Sequence, residues 1–126
     1  MTRILLVDDS RVTRELIKVY LIAKGVELLE APDGAEALRM IQQSPPDLVL
    51  ADLRMPRLDG YGLCEALKAD PKLRKVPVLI LTSNRDSAAE VRLLASGARQ
   101  VLQKPIQPQP LQDAIQRHIA VRSVAP

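Results

Sequence analysis

The sequence predicts an α/β domain, a doubly wound parallel sheet of five strands flanked by five helices. Three observations carry this expectation. Five short apolar runs alternate with five stretches of helical periodicity, the order that βαβ crossovers produce around a parallel sheet. The middle run, Leu48-Val49-Leu50-Ala51, is apolar without alternation, as in a strand buried on both faces. That run stops on a lone carboxylate, Asp52, followed by Met55-Pro56. Ligand chemistry in open parallel sheets gathers at the carboxyl ends of the strands, so Asp52 marks a place to look for a site.

Along the chain, Arg3 to Val7 reads as a buried strand ending at Asp8-Asp9-Ser10, where Ser10 can cap a helix. Val12, Leu16, Val19, Tyr20 and Ala23 recur at helical spacing as its apolar face, and Gly25 suits the stop. Val26 to Glu30 is a second strand. Asp33-Gly34-Ala35-Glu36 resembles a capping box, with Ala37, Leu38 and Ile41 as the next apolar face and Ser44-Pro45-Pro46 as the end. After the Asp52 strand, Pro56 to Gly60 is a loop. Leu63, Ala66 and Leu67 mark a third helix closed near Asp70-Pro71. Val76 to Leu81 is a fourth strand, with Pro77 tolerable at its start. Ser87 with Glu90 is expected to cap a fourth helix bearing Val91, Leu94 and Ala95 on its apolar side, with Gly97 after it. Arg99 to Leu102 is the fifth strand, ending in Gln103-Lys104-Pro105. Leu111, Ala114, Ile115, His118 and Ile119 form the last amphipathic helix. One domain over residues 1–121 is expected, with a flexible tail at 122–126.

Composition narrows the function classes. The 126 residues fit one domain. The chain is 47% hydrophobic but only 2% aromatic, with no Phe or Trp, so the core must be aliphatic. The same scarcity argues against a single-stranded nucleic-acid binder, which needs stacking platforms. The net charge of +3 is scattered with no basic block, which fits a solvated surface better than a nucleic-acid patch. Cys64 is the one cysteine, so no internal disulfide forms and a reducing compartment is consistent. No signal-peptide pattern appears, and no apolar run reaches the ~18 residues of a membrane span. A cytoplasmic protein with no membrane partner is expected.

The residues at the strand ends define the candidate site. The first strand ends in Asp8-Asp9, the third in Asp52, the fourth in Thr82 and the fifth in Lys104-Pro105. Parallel strands share their carboxyl ends, so these residues arrive on one edge. Three crowded carboxylates repel unless a cation neutralises them. A hard divalent ion such as Mg2+ suits few carboxylates and several waters. A lysine and a hydroxyl beside them supply donors for an anion. Metal, lysine and hydroxyl around one carboxylate suit phosphoryl transfer, with that carboxylate as nucleophile. Each residue alone has a plainer reading. Asp8 or Asp9 could cap the first helix, Thr82 could satisfy backbone, and Lys104 could be solvated. Cys64 reads as a small packed residue and His118 as structural, with no ligand cluster around it in sequence.

The combination resembles the response regulator receiver domain of two-component signalling, from about Arg3 to Ile119. It rests on Asp8-Asp9, on Asp52 with Met55-Pro56 and Asp59-Gly60, on Thr82-Ser83 and on Lys104-Pro105. The resemblance implies a flavodoxin-like fold with strand order 2-1-3-4-5. It implies that Asp52 accepts a phosphoryl group from the phosphohistidine of a histidine kinase or histidine phosphotransfer protein. Asp9 and Asp52 would bind Mg2+ directly and Asp8 mainly through water, with the backbone carbonyl of Arg54 completing the set. Lys104 would pair with phosphoryl oxygens, Thr82 would hydrogen-bond them and move inward, and Pro105 would follow a cis peptide. Arg54 and Asn84 would flank the route of the hydrolytic water. Such a protein is a switch with slow self-dephosphorylation rather than a metabolic enzyme. It would act on a downstream protein partner without contacting nucleic acid, since no DNA-binding output domain fits beyond residue 121. Two positions depart from the pattern. Val101 stands where many receivers carry Tyr or Phe, and Ile106 where an aromatic is common, which puts the usual aromatic rotamer switch in question. Ser83 is small, as access to the phosphoryl group requires. The alternative expectation is a receiver-like interaction module independent of phosphorylation. A flavin or nucleotide carrier on the same fold would need a glycine-rich loop after the first strand, and none is present.

Overall fold

In the computed structural model, the described residues are 1–22, 24–84 and 86–124, with side chains described as far as Ile119. Ala23, Arg85, Ala125 and Pro126 lie outside them, including the Ala23 position expected on the first helix. The order is β1 (Thr2–Val7), α1 (Arg11–Leu21), β2 (Val26–Ala31), α2 (Gly34–Gln43), β3 (Leu48–Asp52), α3 (Gly60–Ala69), β4 (Val78–Thr82), α4 (Ser87–Ala95), β5 (Gln100–Gln103) and α5 (Pro108–Val124). The five strands form one sheet in the order β2-β1-β3-β4-β5, and every pairing is parallel. This is the expected flavodoxin-like arrangement.

Side chains alternate across the pleat, so the inner strands feed two cores. Leu5, Val7, Val49, Ala51, Val78, Ile80 and Val101 pack with α2, α3 and α4 through Ala37, Ile41, Leu63, Leu67 and Leu93. Ile4, Leu6, Leu48, Leu50, Leu79, Leu81 and Leu102 pack with Ile17 and Leu21 of α1 and with Leu111, Ala114 and Ile115 of α5. Both layers are aliphatic, as the composition requires.

Several sequence expectations need correction. The buried residues of α1 are Ile17 and Leu21, whereas Val12, Leu16 and Val19 are exposed at 79%, 41% and 65%. The helix carries two apolar stripes with the same spacing, and periodicity cannot say which one faces the sheet. In α4 only Leu93 is buried, while Val91 and Leu94 face solvent. Its cap is Asp86, whose side chain accepts the Ala89 amide, rather than Ser87. The Asp33 half of the α2 box is present, with the carboxylate accepting the Glu36 amide. The Glu36 side chain instead pairs with Arg39 one turn on. Helix α5 runs to Val124, with no glycine or proline between Leu111 and Val124 to interrupt it.

Candidate functional site

Strand register assembles the site. Val7 of β1 lies beside Ala51 of β3, so the next residues, Asp8 and Asp52, emerge side by side. Asp52 pairs with Leu81 of β4, and Thr82 with Gln103 of β5, which brings Lys104 to the same edge. The order β1-β3-β4-β5 thus sets an acid, an acid, a hydroxyl and a lysine in sequence along the carboxyl ends.

Asp8, Asp9 and Asp52 each offer a carboxylate oxygen, and these oxygens lie within 4.8 Å of one another. The Lys104 ammonium is 3.1 Å from Asp8 Oδ2 and 3.3 Å from Asp52 Oδ1. Asp8 is fully buried, Asp52 is half-buried and Asp9 is exposed, so the cluster opens to solvent on one side. The plain reading of Asp8 as a helix cap does not hold. Ser10 caps α1 by accepting the Thr13 amide, while Asp8 Oδ1 accepts the Ser10 amide and its other oxygen faces Lys104. Lys104 is not free in solvent either, since its ammonium is held between two of the acids.

The charge balance is incomplete. Burial pushes the Asp52 carboxyl above its ordinary pKa; Lys104 opposes this, and Asp8 and Asp9 add repulsion. Burial works to lower the Lys104 ammonium, but the bonds and charges of Asp8 and Asp52 outweigh it and raise its pKa. One lysine therefore does not neutralise three acids. An all-oxygen donor set with spare negative charge and an open side fits a hard divalent cation.

Thr82 is buried at the end of β4, and its hydroxyl is engaged with the Asn84 backbone, accepting that amide at 3.2 Å. Its carbonyl accepts the Lys104 amide at 2.8 Å. The Lys104–Pro105 peptide is cis. Arg54, which follows Asp52 by two residues, and Ser83 and Asn84, which follow Thr82, are exposed. Val101 and Ile106 are buried at 3% and 5%. Cys64 is buried with its thiol pushed up to about 12, consistent with a packed, inert residue. His118 Nε2 lies 3.0 Å from Gln100 Oε1, a tie between α5 and β5.

Sequence reasoning missed three residues at the rim. The Arg14 guanidinium donates to the Asp8 carbonyl and pairs with Glu30 at 3.0 Å, bracing the acidic loop. Gln103 Nε2 donates to the Ser83 carbonyl at 3.0 Å and the Lys104 carbonyl at 3.1 Å. Arg57 pairs with Asp33. None has a local signal, because each has a partner on another element.

The sequence profile of the response regulator receiver domain matches residues 4–116. The chain belongs to that family. A probable transcriptional regulator, ycf27, of Guillardia theta is 36% identical over 113 residues, 90% of this chain and 43% of that protein. The chain therefore spans less than half the length of this curated relative. The signal receiver domain of a signal transduction histidine kinase from Syntrophus aciditrophicus is 34% identical and superposes with a TM-score of 0.91, covering 100% of this chain and 96% of that one. The receiver domain of the sensor histidine kinase PA1611 from Pseudomonas aeruginosa is 33% identical, with a TM-score of 0.86 over 94% of this chain and 98% of that one. That structure has a magnesium ion coordinated in its active-site cleft. No helix among the described residues is long and apolar enough to cross a membrane.

Proposed function

We propose that this receiver domain accepts a phosphoryl group on Asp52 from the phosphohistidine of a kinase or phosphotransfer protein, and that the modified state changes its partner interactions. The observation that supports this best is the convergence of Asp8, Asp9 and Asp52 around Lys104 at one sheet edge. Asp52 would attack phosphorus through a carboxylate oxygen. The P–O bond forms as the donor's P–N bond breaks, and the electron pair returns to the imidazole nitrogen. Lys104 would exchange its contact with Asp52 for one with a phosphoryl oxygen. The Thr82 hydroxyl would leave the Asn84 backbone to donate to another. Asp8, Asp9, Asp52 and the Arg54 carbonyl would hold Mg2+, which would neutralise charge shared between the acids and the phosphoryl group. The complete set of acids, hydroxyl and lysine weighs against a role independent of phosphorylation.

Water would later release the group, making the protein a self-resetting switch rather than an enzyme acting on a separate substrate. A relative named as a probable transcriptional regulator is more than twice the length of the matched segment. The expectation of no direct nucleic-acid contact is therefore proposed for residues 1–121 alone.

Incubation with Mg2+ and acetyl phosphate should add one phosphoryl group to the intact mass. Chelation with EDTA or Asp52→Asn should prevent it. An undiminished acid-labile acyl phosphate in Asp52→Asn would overturn the assignment of the nucleophile.

A further inference from the structure

We propose that Arg57 and Asp33 clamp the loop between β3 and α3 in the shape that presents the Arg54 carbonyl to the metal. The clamp rests on the reading of the acidic cluster as a Mg2+ site, and adds two positioning residues outside it.

Arg57 has φ of 70°, a left-handed conformation that costs a non-glycine residue energy and persists only where surrounding contacts impose it. It is the centre of a three-residue turn, with the Leu58 amide donating to the Pro56 carbonyl at 2.8 Å. A turn of this hand is rare and strained. The surroundings supply the restraint. The Arg57 guanidinium crosses to Asp33 at the start of α2, with Nε 3.1 Å from Oδ2 and Nη2 also bonded to that oxygen. Asp33 is 1% exposed. Its other oxygen accepts the Glu36 amide in the first turn of α2, and these two partners, the amide first, hold the carboxyl below its ordinary pKa. Immediately beside it, Gly34 leaves room for the Leu58 carbonyl, into which any Cβ at that position would collide. Strain, ion pair and close approach thus meet on one short segment.

That segment comes directly after the candidate ligand. A side-chain carboxylate can be held by its own rotamer, whereas a main-chain carbonyl is aimed only by the loop that carries it. The loop's two ends are fixed by Leu53 N–H to the Leu81 carbonyl at 3.0 Å and by Gly60 N–H to the Leu53 carbonyl at 2.7 Å. Between them the Arg57–Asp33 pair ties the loop to α2. Groups that hold a metal ligand in place commonly set metal affinity by tenfold or more where they bond that ligand directly, and the clamp would act on the Arg54 carbonyl through the loop backbone.

The sign of the effect separates positioning from bulk electrostatics. Removing a cation near a cation site should tighten Mg2+ binding by charge alone. The clamp predicts the reverse. Calorimetric titration with Mg2+ should show binding weakened by about tenfold in Arg57→Ala. Arg57→Gly, which suits the left-handed turn and so keeps the fold, should weaken it similarly, and Arg57→Lys should restore part of the loss. Arg57→Gly in an Asp33→Asn background should add nothing further, since both act through one contact. Arg57→Ala and Arg57→Gly binding Mg2+ as tightly as the wild type, or more tightly, would overturn the clamp while leaving the site intact. A wild type that binds no Mg2+ would remove the site reading and the clamp with it.

Discussion

Asp52, the proposed phosphoacceptor, illustrates how burying a carboxylate works against stability. Its folded pKa is raised, first by burial and then by Asp8 and Asp9, with Lys104 only partly opposing. A carboxyl whose folded pKa lies above its unfolded value favours the folded state while protonated. That contribution is full below the unfolded value of about 3.9 and is lost as pH rises through the folded value. At neutral pH without metal, the ionised Asp52 is therefore a liability, and Asp52→Asn should raise the melting temperature. The gain should shrink as pH falls through the raised value and vanish near the ordinary carboxylate range. Saturating Mg2+ should stabilise the wild type, by about 2.7 kcal/mol at a hundred times its Kd, and the variant less. Thermal melts across pH, with and without Mg2+, check both signs. An Asp52→Asn protein less stable than the wild type at neutral pH without metal would mean that the contact with Lys104 outweighs the burial of charge.

Helices show where the sequence was legible and where it was not. The strand ends were readable because an apolar run stopping on Asp, Thr or Lys marks an end directly, and parallel register then forces those ends together. The caps at Ser10 and Asp33 were readable because each depends on one local hydrogen bond. The rotation of α1 was not legible, because Val12-Leu16-Val19 and Ile17-Leu21 offer equivalent stripes and the choice belongs to the sheet beneath. Ile17→Ala should then cost about 2–5 kcal/mol, the usual range for emptying a core site. Val19→Ala should fall within about 0.5 kcal/mol of the wild type. Denaturant titration compares them, and similar losses in the two would contradict the observed face.

Across the whole molecule, the departures at Val101 and Ile106 bear on how the proposed phosphorylation would be sensed elsewhere. A switch biases two conformations only by the free energy with which its ligand distinguishes them. That difference would arise at Thr82 and Lys104, whose backbones are already joined through the Lys104 amide and the Thr82 carbonyl. Gln103 ties the same two loops again through the Ser83 carbonyl, a link invisible in sequence because its partners are 20 residues apart. Val101 is buried in the core shared with α4 and, being β-branched, is stiff at χ1. It has no ring to swing into space vacated by Thr82. The change should therefore be carried by the backbone between Thr82 and Asp86 and by α4, whose single buried anchor is Leu93. An element held by so little apolar burial is among those that shift most readily. Backbone amide shifts with and without beryllofluoride, a mimic of the phosphoryl group, test this. The expected pattern is large changes over residues 83–90 with Val101 and α5 little affected. Large changes at Val101 and α5 with residues 83–90 unmoved would rule the route out.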